Sequence, residues 1–235
     1  MKMLAYISII LVTTWTFSCR EATQGEDDSL RQRRHMVRTQ IEARGIKDRR
    51  VLNAMLKVER HLFVPHNHRH LAYEDFPLHI GEGQTISQPY IVALMTEALE
   101  LKEDEKVLEV GTGSGYQAAI LAELAREVYT VEIIESLAKE AESRLTKLGY
   151  NNIHVRCGDG YLGWKEEAPF DAIIITCATP HIPEPLLEQL ADGGRMILPL
   201  GGKWGQDLVL IRKRGEALER SSLGGCMFVP MTRKR

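Results

Sequence analysis

The sequence predicts an α/β fold: a mostly parallel sheet with helices on both faces, and a helical layer ahead of its first strand. Three observations carry the prediction. From residue 107 onward, short apolar runs of strand length alternate with segments spaced as helices. Val107-Leu-Glu-Val110 opens into the glycine-rich turn Gly111-Thr-Gly-Ser-Gly115, which leads straight into a helix. Runs with no polar face, such as Ala172 to Ile175, suit strands covered on both sides.

The elements follow in order. From Leu30 to Gly45, Val37 and Ile41 share one helical face and Gly45 ends the helix. Asp48 suits the cap of a second helix, whose Val51, Leu52, Met55 and Leu56 lie together before Pro65. Residues 66 to 85 read as loop. A third helix runs from Pro89 through Ile91, Leu94, Met95 and Leu99. Beyond the first strand, Tyr116 to Leu124 is helical, Val128 to Val131 is a second strand, and Ser136 to Leu148 is a helix that Gly149 closes. Ile153 to Val155 and Ala172 to Ile175 make the third and fourth strands. Pro185 to Leu190 is helical, Arg195 to Leu198 and Leu208 to Ile211 are the fifth and sixth strands, and Phe228 with Val229 suits a last edge strand. Right-handed crossovers then place ligands beyond the carboxyl ends of the strands.

Composition narrows the class. The chain has 235 residues, 44% hydrophobic and 26% charged, enough for one domain with a large apolar core. A net charge of -2 offers no general basicity for nucleic acid. Four cysteines, at 19, 157, 177 and 226, show neither a disulfide framework nor zinc spacing. The N-terminus stands apart. After Met1-Lys2, an uncharged run from Met3 to Cys19 has the positive start and short apolar centre of an export signal. Ser18-Cys19 suits lipid attachment, although Thr16 stands where such signals usually carry Leu or Val. The chain therefore divides into a signal or anchor segment at 1–19, a polar linker at 20–29 and a single domain at 30–235.

The glycine-rich turn carries the chemistry. A dinucleotide fingerprint is G-x-G-x-x-G; here Gly111, Gly113 and Gly115 make G-x-G-x-G, and Glu109 stands two residues ahead of it. A carboxylate there is awkward beside a pyrophosphate and welcome beside a cationic amine. S-adenosylmethionine has that amine, a sulfonium and no phosphate. Glu132 ends the second strand, where an acid accepts ribose hydroxyls. Asp159, in Gly158-Asp-Gly160 after the third strand, suits the adenine amine. Three acids at successive strand ends bracket an adenosyl-amino-acid, so the cofactor predicted is S-adenosyl-L-methionine. Methyl transfer from a sulfonium is an in-line displacement that needs alignment and no metal. A carboxylate acceptor is already ionised at pH 7 and needs no base. The acidic–Pro–Pro–aromatic signature of base-methylating enzymes is missing, since Thr176-Cys-Ala-Thr-Pro180 stands in its place.

Several stretches resemble the protein-L-isoaspartate (D-aspartate) O-methyltransferase family. The most specific are Ile80-Gly-Glu-Gly-Gln-Thr-Ile-Ser-Gln-Pro-Tyr90, Val107 to Ala118 and Gly158-Asp-Gly160. Gln189-Leu-Ala-Asp-Gly-Gly194 and Phe228-Val-Pro230 add to them, and the likeness covers Leu30 to Met231. The resemblance implies a Rossmann-like S-adenosylmethionine-dependent methyltransferase fold and methylation of the abnormal carboxylate of isoaspartyl and D-aspartyl residues in damaged proteins. The ester re-closes to a succinimide, whose hydrolysis returns some normal aspartyl linkage. By the same resemblance, Glu109, Gly111, Gly113, Gly115, Glu132, Asp159 and Gly160 line the cofactor pocket, and Ser87 lies at the acceptor carboxylate. Thr85, Phe228, Val229 and Pro230 would border the acceptor.

On the residues alone, Ser87 reads equally as the cap of the third helix or as a hydroxyl holding an anion at a helix start. Phe228 to Met231 reads equally as an edge strand. His66, His68 and His70 read as solvent-facing, with no acid or Cys at ligand spacing, and no metal site is expected. The expected partners are isoaspartyl-containing proteins and peptides, with membrane attachment only through the N-terminal segment. Nothing demands more than a monomer. The cofactor supply and the family favour the cytoplasm and the leading segment favours export, so the sequence leaves the compartment open.

Overall fold

Apolar strands without a polar face need cover on both sides, and the computed structural model shows how they obtain it. Residues 28–202 and 204–233 are described. The segment expected to be a signal, 1–19, and nearly all of the linker lie outside them. In chain order the elements are α1 (28–36), α2 (Arg49–Lys57), β1 (Leu78–Gly81), β2 (Gln84–Ile86), α3 (Pro89–Ala98), β3 (Lys106–Val110), α4 (Tyr116–Ala122) and β4 (Glu127–Glu132). There follow α5 (Glu135–Lys147), β5 (Ile153–Cys157), β6 (Phe170–Ile175), α6 (Glu184–Glu188), β7 (Leu190–Gly202), β8 (Gly205–Arg214) and β9 (Ala217–Cys226). Between α1 and α2 the helix loosens to a π turn at Val37–Ile41, then tightens at Glu42–Arg44 and stops at left-handed Gly45. Asp48 caps α2 as expected, accepting from the Arg50 amide.

The main sheet has seven strands in the order β5-β4-β3-β6-β7-β8-β9. β5, β4, β3, β6 and β7 are parallel, and β8 and β9 extend them antiparallel. The chain leaves β3 toward β4 and β5, then returns to the other side of β3 as β6. That reversal makes the crevice above β3 and β6 the ligand-binding position of an open α/β sheet. Successive side chains alternate between faces. Ile174 and Val107 join the core formed with the N-terminal layer, α3 and α4, while Ile173, Ile175 and Leu108 join the core on the opposite face. Arg195 ties the end of α3 to the sheet: it forks onto Glu105 at 2.8 Å and donates to the Leu99 and Glu100 carbonyls.

Two expectations are corrected. Residues 66–85 are not a loop throughout, because His66–Leu71 winds into a 3-10 helix and β1 and β2 form a hairpin pairing Leu78 with Ile86 and His79 with Thr85. Positive φ angles at Gly81, Glu82 and Gly83 turn it, and three to four residues per strand are too few to display alternation. The edge strand is β9, not Phe228 and Val229. β9 is almost wholly exposed, so it carries no apolar period, and backbone pairing to β8 holds it. Phe228 to Met231 is instead a strap. Gln206 clamps Phe228 through both ends of its amide, at 2.7 and 3.0 Å, and Ala178 pairs with Val229 and Met231 at 2.8 and 2.7 Å. The strap thus lies across the carboxyl end of β6.

Candidate active site

A partly open cleft of about 780 Å³ lies at the carboxyl ends of β3, β4 and β6. One wall is the Gly111–Ser114 turn with Glu109 and Glu132; the facing walls are residues 84–87 and strap residues 229–232. Gly111 has φ +101°, and a Cβ there would lie 2.5 Å from Thr176 Oγ1. Only glycine combines that conformation with so close a neighbour. The Thr176 hydroxyl uses the space to donate to the Gly111 carbonyl at 2.7 Å, joining β3 to β6 at the reversal.

Glu132 is 6% exposed, and its carboxylate organises the turn. Oε2 accepts from the Gly113 amide at 2.8 Å and Oε1 from the Ile134 amide at 3.0 Å. Each oxygen retains a lone pair for a hydroxyl in the cleft. Glu109 is fully buried. Its Oε2 accepts from Thr130 at 2.6 Å, and Thr130 lies 2.6 Å from Thr112, but Oε1 has no hydrogen-bond partner among the described residues. Burial pushes the Glu109 carboxyl up to about 8; the Thr130 hydroxyl opposes the shift and the charge of Glu132 adds to it. A buried carboxyl oxygen left unsatisfied is costly unless a ligand completes it, and an ammonium group would do so. These acids therefore suit the amino-acid and ribose portions of S-adenosylmethionine.

The remaining expected residues divide. Gly113 lines the cleft under Ile80, and Gly160 lines it so closely that a Cβ would meet Val110 Cγ1 at 2.4 Å. Asp159 stands behind Gly160 and caps the short turn Gly160–Leu162, accepting from the Tyr161 amide at 2.9 Å. Gly115 starts α4 with φ +86° and faces Leu145 of α5, so its place is helix packing and not the cleft wall. Thr85, Ser87, Val229 and Pro230 line the cleft, whereas Phe228 stays with the Gln206 clamp. Ser87 is not the cap of α3. Gln88 occupies that position without a side-chain bond, and Pro89 begins the helix. The Ser87 side chain is thereby left for the cleft, and its hydroxyl has no hydrogen-bond partner among the described residues. Burial, and then the charges of Glu132 and Glu109, push the Cys177 thiol up to about 12, which disfavours its thiolate at neutral pH. Among the described residues no group of three His, Cys, Asp or Glu converges as a metal site.

The sequence reading missed Thr112, Thr130 and Arg60. Glu109 lies opposite Thr130 in the β3–β4 register, so knowledge of the pairing would have found that contact. Arg60 carried no signal: nothing in its neighbourhood of sequence announces that it is wholly buried.

The family model of protein-L-isoaspartate(D-aspartate) O-methyltransferase matches residues 31–235. The chain belongs to this family. A protein-L-isoaspartate O-methyltransferase 2 of Shewanella sediminis is 54% identical over 99% of this chain and 96% of its own. The enzyme of Dictyoglomus thermophilum is 58% identical over 85% of this chain and 90% of its own. Among solved structures, a Plasmodium falciparum family member in complex with S-adenosyl-L-homocysteine superposes with a TM-score of 0.75 at 26% identity, covering 85% of this chain and 98% of that one. The expected fold class, a Rossmann-like methyltransferase sheet with an N-terminal helical layer, is borne out.

Proposed function

We propose that the chain is a protein-L-isoaspartate O-methyltransferase that moves a methyl group from S-adenosyl-L-methionine to the free carboxylate of an isoaspartyl residue. The observation that carries the proposal is one cleft holding both halves of the chemistry. The unsatisfied Glu109 oxygen and Glu132 stand on one wall, and the uncommitted Ser87 hydroxyl stands with Thr85 on another. The sulfonium supplies an activated methyl and leaves as a neutral thioether. Glu109 takes the amine, Glu132 accepts from the ribose, and Ser87 donates to one acceptor oxygen so that the other points at the methyl. No residue needs to remove a proton, because the acceptor is ionised at neutral pH. The product ester is the activated form from which a succinimide closes without the enzyme.

The test offers labelled cofactor and two peptides that differ only in Asp against isoaspartate. The isoaspartyl peptide should be labelled and its label released by base as methanol, while the normal peptide stays nearly inert. Ser87→Ala should lower turnover about 10–1,000-fold with cofactor affinity little changed, as for a contact that orients the acceptor. Equal labelling of both peptides would remove the repair function, and base-stable label would remove the carboxylate acceptor.

We further infer that residues 1–19 direct export or lipid anchoring and that the domain acts as a monomer. The leading segment's composition supports the first reading. Among the described residues no helix is long and apolar enough to cross a membrane. Intact mass from native cells decides the first reading, since an unprocessed N-terminus would end it. Light scattering decides the second.

A further inference from the structure

We propose that Arg60 is a positioning residue for the acceptor: a buried cation that holds the Ser87 backbone and whose missing counter-charge is the substrate carboxylate. The inference rests on the acceptor reading above. Arg60 is completely buried in the turn Arg60–Phe63. Its Nε donates to the Ala72 carbonyl at 2.7 Å and its Nη2 to the Ser87 carbonyl at 2.7 Å. The guanidinium sits 4.9 Å from the ring centre of Tyr116, a residue that also lines the cleft. Its Nη1 has no hydrogen-bond partner among the described residues. Among the described residues no carboxylate pairs with it, and the adjacent Glu59 is taken by Arg33 at 3.0 Å. Burial lowers Arg60 only to about 10, so it stays charged at neutral pH.

A buried charge without a partner is among the more costly features a fold can carry. Arginine is not required to satisfy two carbonyls, so a buried guanidinium in this place points to use of the charge. Ser87 is the link. Arg60 holds its carbonyl while the residue lines the cleft, so an anion beside the Ser87 hydroxyl would share one residue with the guanidinium. Arg60 is wholly withdrawn from solvent, so its charge is screened far less than it would be in water. The cation thus selects a carboxylate over a neutral group at the acceptor position without touching it.

The test compares the intact protein loaded with S-adenosylhomocysteine against two peptides, one bearing the isoaspartyl carboxylate and one its carboxamide. The carboxylate should bind at least about 10-fold tighter, as expected for a charge interaction in a poorly screened site. Arg60→Met, of similar length and no charge, should erase that preference and raise KM for the isoaspartyl peptide about 10–100-fold, with less change in kcat. Arg60→Lys should restore part of it, and neither should alter the dissociation constant of S-adenosylhomocysteine. Combined with Ser87→Ala, Arg60→Met should cost less than the product of the two single effects, because both act on one group. Equal binding of carboxylate and carboxamide by the unaltered protein would overturn the inference even if Arg60→Met failed to fold. So would a folded Arg60→Met with unchanged KM. Turnover of the isoaspartyl peptide by the unaltered protein tests the acceptor reading separately.

Discussion

Glu109→Gln isolates the most unusual group in the cleft. The substitution keeps the side-chain volume and an acceptor for Thr130, and removes one titration. In the unfolded chain the carboxyl loses its proton near 4.5, whereas burial holds it in the fold up to about 8. Between those values the folded state binds the proton that the unfolded state has released, so the stability contributed by this group falls as pH rises. The slope is about 1.4 kcal/mol per pH unit, and the whole loss, complete near pH 8, is about 5 kcal/mol. The glutamine variant lacks the slope. Its stability relative to the parent should therefore rise by about 3 kcal/mol between pH 5 and pH 7, or roughly 5–10 °C in Tm for a domain of this size. The amide's own packing cost does not depend on pH and cancels from that comparison. Thermal and urea melts of both proteins at pH 5, 6, 7 and 8, without cofactor, measure it. A stability difference that stays constant across this range would refute the buried, protonated carboxyl. The same logic extends to binding. If the cofactor's ammonium completes Oε1, binding at pH 7 should release close to one proton from the parent and none from the variant, which calorimetry in two buffers of different ionisation enthalpy reads directly.

Two further substitutions probe the turn. Glu132→Ala should weaken S-adenosylmethionine binding by about 1.5–3 kcal/mol, and should lower Tm of the free protein as well, because the Gly113 and Ile134 amides lose their acceptor; calorimetric titration with an unchanged dissociation constant would remove Glu132 from the site. Gly111→Ala places a methyl 2.5 Å from Thr176 Oγ1 at φ +101° and should cost about 1–3 kcal/mol of stability. Adding Thr176→Ala should return the part due to the clash and leave the part due to the backbone, and a Gly111→Ala protein that melts like the parent would show that the turn tolerates a side chain.

Much of the fold was legible because its signals are local. Buried parallel strands must be apolar throughout, so Val107 to Val110 and Ala172 to Ile175 declare themselves in a few residues. The glycine turn is equally local: Gly111 needs a left-handed φ that a side chain resists. The hairpin at 78–86 and the exposed edge strand β9 were not legible. The first is too short to show a period, and the second buries too little to leave an apolar trace.

The acids at the strand ends were found for the same local reason, but what each does depends on contacts distant in sequence. By itself the sequence determined the α/β sheet, the strand–turn–helix that carries Glu109 and the ends of β4 and β5 where Glu132 and Asp159 stand. These follow from backbone conformation and hydrophobic periodicity within one element. Only the tertiary structure decided that Glu132 braces the Gly113 turn and that Ser87 leaves the capping position to Gln88. The same holds for Glu109, whose carboxyl burial pushes up to about 8, and for Arg60, which is buried against the Ser87 carbonyl with no carboxylate paired to it among the described residues. Desolvation and register are properties of the assembled neighbours: Arg60 and Ser87 lie 27 residues apart, and Glu109 meets Thr130 across 21. No single helix or strand contains both partners of either contact, and the burial that shifts Glu109 comes from neighbours brought in by the fold.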